Sequence, residues 1–93
     1  MTEEEQLRVI ARGRDAEALR ANPVLQEAMK VTLDDLFAQF CATSADDGPT
    51  RDAIWAQANA LREFNGTVET FINEGKLEHV NREQERKANR SHL

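Results

Sequence analysis

Apolar side chains recur every three or four residues at Ile54, Ala58, Leu61, Phe64, Val68 and Phe71, and the small Gly75 continues the row. That spacing keeps the row on one side of an α-helix, so it predicts a long rod with a single dry face. Its period is close to 3.5 residues, which suits the shallow crossing angle of coiled-coil-like packing. Upstream, Leu25, Ala28, Met29, Leu33, Leu36, Phe37 and Phe40 also repeat at helical spacing. They cover a face wide enough for two neighbours, which marks this segment as the expected centre of the fold. The N-terminal pattern is poorer. Leu7, Ile10, Ala11 and Ala18 share one side, Arg14 interrupts it, and Gly13 costs about 1 kcal/mol relative to alanine in a helix interior. A shallow contact is expected there, with Gly13 and Ala16 letting another backbone come close.

Punctuation between these patterns sets the element boundaries. Thr2 followed by Glu5 reads as a capping box, and Glu3, Glu4 and Glu5 complement the positive end of a helix dipole. A first helix over about 3–21 follows. Asn22-Pro23 then places an N-cap before a proline at the first helical position, opening a second helix over about 23–42. Ala42 to Pro49 is a polar turn closed by Gly48-Pro49, and its length suits two antiparallel helices. The third helix is expected over about 50–75, with Gly75 as its C-terminal cap. The fold class is therefore all-α: an antiparallel helical hairpin (about 23–42 and 50–75) with an additional N-terminal helix and a charged C-terminal tail. Ile54, Leu61, Phe64, Val68 and Phe71 should face the second helix. Beyond Gly75 only Leu77 and Val80 are large and apolar before Leu93. This divides the chain into a helical domain over 1–77 and a tail over 78–93, disordered or a frayed helix that orders on contact.

Size and composition agree with that outline. A chain of 93 residues makes one domain at most, and its core must be thin. Hydrophobic residues make up 40% and charged ones 31%, which suits a hairpin or an oligomer better than an isolated globule. Four Gly, two Pro and scattered β-branched residues leave little material for a β-sandwich. Charge is uneven: residues 1–75 carry seven basic and fourteen acidic side chains, whereas 76–93 carry five basic and three acidic. An acidic body argues against a whole-domain binder of nucleic acid or anionic membrane, because Lys and Arg supply most of the affinity for phosphate. No apolar run approaches the roughly 18 residues of a membrane span, and the acidic start does not read as a signal peptide. The single cysteine rules out an internal disulfide framework and fits a reducing compartment.

Candidate chemistry is sparse. Cys41 sits beside Phe40 at the end of an apolar helix with no His or Lys nearby in sequence, so a buried structural role is expected. Asp34 and Asp35 are adjacent and point in different directions on a helix, which disfavours shared acid–base work. Asp46-Asp47-Gly48 lacks the alternating oxygen ligands of a calcium loop and reads as a solvated turn. His79 and His92 have no cysteine partner and no zinc-ligand spacing. No catalytic residue, metal site or cofactor is expected. Arg82, Arg86 and Arg90 fall on one helical line flanked by Lys87, a stripe suited to phosphate or to an acidic protein groove. Glu83, Glu85 and the lack of a stacking aromatic favour a plain solvated tail instead. Trp55, at the edge of the long stripe, is either a lid on the core or, if exposed, the first candidate anchor for a partner.

Gly13-x-x-Ala16-x-x-Leu19 leading into Asn22-Pro23-Val24-Leu25 and Ala28, then Arg51-x-x-x-Trp55 and Leu61, ending at Gly75-Lys76-Leu77, resembles small helical proteins encoded in head-assembly and DNA-packaging gene clusters of tailed bacteriophages. The similarity spans residues 9–77, and it carries over no catalytic residue. It implies a non-enzymatic virion or assembly accessory protein, located in the cytoplasm of a bacterial host or associated with the virion. Its expected partners are a phage structural protein or host target and further copies of itself, without membrane. Two other roles follow from charge. The acidic face, including Asp34, Asp35, Glu63 and Glu69, suits a DNA-mimicking inhibitor of a host defence or nucleic-acid enzyme, and the basic tail suits a DNA-packaging subunit that touches nucleic acid only there.

Overall fold

The computed structural model describes residues 1–91, which form three helices: α1 (Glu3–Arg20), α2 (Pro23–Cys41) and α3 (Gly48–Ser91). No strand occurs among the described residues, so the protein is all-α. The starts of the first two helices follow the local chemistry. The Glu5 amide donates to Thr2 Oγ1 at 3.1 Å while the Thr2 amide donates to a Glu5 carboxylate oxygen at 3.4 Å, a reciprocal capping box. Asn22 Oδ1 accepts from the amides of Val24 at 2.8 Å and Leu25 at 3.3 Å, with Pro23 at the first helical position.

Both ends of α3 correct the expected span of 50–75. The helix begins at Gly48, because Asp47 Oδ1 accepts from the Thr50 amide at 3.3 Å and acts as the cap. Pro49 then falls in the first turn, where amides have no intrahelical acceptor and the missing N–H costs nothing. At the other end, the helix passes through Gly75 and continues to Ser91. No glycine has the positive φ of a left-handed cap.

The chain divides into two compact units. Unit 1 combines Met1–Leu19 with α3 from Thr67 onward, and unit 2 comprises Arg20–Gly66. α3 thus contributes to both, and it remains helical at Gly66, where they meet in sequence.

Within unit 1, Ala16 of α1 packs with Val68 and Ile72 of α3, and Phe71 lies against this cluster. Val68 and Phe71 therefore pair with α1 rather than with the second helix. What makes this possible is a glycine pair. A Cβ on Gly13 would lie 2.8 Å from both the Gly75 Cα and the Phe71 carbonyl oxygen, and one on Gly75 would lie 2.9 Å from the Gly13 Cα. Backbone touches backbone here, so Gly75 is an interhelix contact and not a stop signal. Polar groups follow the same seam. Arg12 sits 4.0 Å above the Phe71 ring and pairs with Glu74 at 2.7 Å, and the buried Gln6 donates to Glu78 at 3.1 Å.

Within unit 2, Leu36 of α2 and Ile54 of α3 are buried. Leu25, Met29, Ala58 and Leu61 are half-buried. The second helix is not the centre of the fold, since Leu36 is its one buried residue, against four in α1. One neighbouring stretch of helix cannot cover a face patterned for two.

Candidate interaction surface

The uncovered face of unit 2 is a shallow apolar groove of about 240 Å³. Leu33, Phe37 and Phe40 line it from α2, and Trp55 and Ala58 from α3, over a floor of Leu36 and Ile54. Helical periodicity explains the grouping: Leu33, Phe37 and Phe40 are separated by four and three residues and share a face. Phe37 is 69% exposed and Trp55 68%, so the tryptophan is not a lid on the core. Side chains of this size left open in one place mark a contact surface more often than an ordinary solvated face does.

One end of the groove is braced. Arg51 lies 4.7 Å from the centre of the Phe40 ring, and its Nε donates to Thr43 Oγ1 at 2.9 Å. The Thr43 hydroxyl in turn donates to the Phe40 carbonyl at 2.6 Å. This chain of contacts ties the start of α3 to the end of α2 and fixes the Phe40 backbone. Cys41, expected to be buried, is exposed next to it. The cysteine follows the last apolar position of α2, and the helix turns it outward instead of inward.

The basic stripe of α3 behaves differently. Arg82 pairs with Glu3 of α1 at 3.2 Å, and Arg86 pairs with Glu83 within the helix at 3.4 Å. Lys87 and Arg90 are exposed. Arg82 and Arg86 are thus already opposed by carboxylates, and Arg82 helps to hold α1. Glu78 and Arg82, assigned from sequence to the charged tail, bond to Gln6 and Glu3.

The acidic side chains do not form one surface within a single unit. Asp34, Asp35 and Glu63 belong to unit 2, and Glu69 belongs to unit 1. Among the described residues there is no group of three or more His, Cys, Asp or Glu placed to hold a metal ion. His79 is exposed, and His92 lies outside the described residues. None of the described helices is long and apolar enough to cross a membrane.

Sequence pattern alone singled out Trp55 but assigned Leu33, Phe37 and Phe40 to the core. A signal for their exposure was present in the width of the α2 face. Searches of family models, curated proteins and solved structures find no match to this chain.

Proposed function

We propose that this chain is a non-enzymatic accessory protein of phage or prophage particle assembly, acting through protein–protein contacts made by the α2–α3 groove of unit 2. The observation that carries the interaction role is the joint exposure of Phe37 and Trp55 on one uncharged face. Aromatic anchors flanked by aliphatic side chains are the usual source of affinity at protein interfaces. The assembly setting rests on the resemblance of residues 9–77 to helical proteins of head-assembly and packaging gene clusters. Pairing of Arg82 and Arg86 with carboxylates favours this reading over DNA packaging through the tail, because phosphate contact would have to displace those partners.

A tagged copy produced during particle assembly tests the reading. The chain should co-sediment with particles or their precursors, and Trp55→Ser should reduce that association at least about tenfold, as loss of an interface anchor does. Absence from both fractions, with the chain intact in the lysate, sinks the reading.

A further inference from the structure

We infer that the open face of unit 2 is where a second copy of this chain docks, so that two helix pairs close into one four-helix core. The inference deepens the interaction role proposed above and rests on it for the surface used.

Three observations favour a second copy as the occupant. The first is the need for a permanent cover. Unit 2 buries Leu36 and Ile54 and little else, and a core this thin gains stability from an added partner that covers its open side chains. A copy of the same chain is present wherever the chain is made. It supplies the second neighbour for which the α2 pattern is wide enough.

The second observation is area. At their exposures, Phe37, Trp55 and Phe40 leave roughly 400 Å² of aromatic surface open, taking about 150–250 Å² per aromatic side chain. A standard interface buries about 800 Å² per partner, of which about 57% is apolar, or roughly 450 Å². The half-open Leu33 supplies the remainder. One face therefore matches one half of a standard symmetric interface.

The third is charge. Each chain carries a net charge of −5, so two copies repel at a distance, and they meet at least cost where the contacting surfaces add no like charges of their own. No lining residue of the groove is charged, and Arg51 at its end is drawn onto Phe40 and Thr43. Closed dimers use the same patch twice about a two-fold axis. Phe37 and Trp55 line the groove from opposite helices, so an axis along it sets Phe37 of each copy against Trp55 of the other. Such pairs favour offset or edge-to-face contact.

The test is the mass of the full chain in solution. Sedimentation should give twice 10.5 kDa, with dissociation on dilution and a red shift of Trp55 emission as it opens to water. Phe37→Glu should weaken association at least about tenfold, whereas Leu77→Glu, at an exposed position in unit 1, should leave it unchanged. If Phe37→Glu disturbs folding, crosslinking replaces it. A mixture of Phe37→Cys and Trp55→Cys chains, each also carrying Cys41→Ser, should oxidise to a mixed disulfide dimer. A monomer at every concentration overturns the inference, and so does a dimer that resists Phe37→Glu and forms no mixed crosslink. A monomer that still co-sediments with particles sinks the dimer and spares the assembly reading. A dimer absent from particles does the reverse.

Discussion

Unit 1 and unit 2 draw on the same helix, α3, yet they bury their side chains differently. In unit 1, α1 contributes Gln6, Ile10, Gly13 and Ala16 to the buried seam, although its apolar pattern is weak. In unit 2, α2 carries the stronger pattern and buries Leu36 alone. The contrast teaches that the quantity of apolar surface on a helix does not set how closely it packs. Small residues decide the approach distance: Gly13 and Gly75 let two backbones touch, which brings Ala16 against Val68 and Ile72. Within unit 2, the large side chains of α2 have one helical stretch of α3 to cover them. They stand open.

Three sets of substitutions can break or sharpen this contrast. The largest effect is expected at Ile72, the most buried side chain at 2% exposure. Ile72→Ala should cost about 2–5 kcal/mol in chemical denaturation, because it leaves a cavity in the seam of unit 1. Phe37→Ala in unit 2 should cost under about 1 kcal/mol when measured on dissociated chain, since little of that side chain is buried there. Equal losses at the two positions would erase the distinction.

Next come the glycines of α3 and α1. Gly13→Ala and Gly75→Ala should each destabilise by about 1–3 kcal/mol, because the added carbon meets backbone rather than a side chain that can move aside. Gly66→Ala, with nothing within 4 Å of the new carbon, should stabilise the helix by about 0.5–1 kcal/mol. Opposite signs from the same chemical change, read as denaturant midpoints, would show that approach distance and not helix propensity governs unit 1. The smallest effect belongs to the ion pair of Arg12 and Glu74, both about half exposed. Glu74→Gln should cost about 0.2–1 kcal/mol and lose that effect in high salt, as exposed pairs do.

Much of the secondary structure was legible because its signals are local. Thr2 with Glu5, and Asn22 with Pro23, satisfy the first free amides of a helix within a few residues, and the structure forms both caps. Asp47 was legible in principle as the cap of α3, but Gly48-Pro49 masked it, since the same pair closes turns and opens helices. Gly75 was misread for a related reason. A glycine after an apolar row has two uses, a left-handed cap or a close crossing, and only the partner helix distinguishes them.

The candidate surface was legible in part. Trp55 stood out as an edge position, whereas Phe37 and Phe40 looked like core because their spacing is that of a buried stripe. Periodicity reports which residues share a face, and it contains no information about how many helices arrive to cover it. The chain itself therefore determined that it is helical, where its helices begin and which sides of them are greasy, all through interactions spanning a few residues. Tertiary structure alone decided that Val68 and Phe71 meet α1, that α3 runs on through Gly75, and that Phe37 and Trp55 remain uncovered. The first two outcomes depend on contacts between residues some sixty positions apart, such as Gly13 with Gly75, and the third on how many helices reach the α2 face, so their geometry exists only once the helices have met.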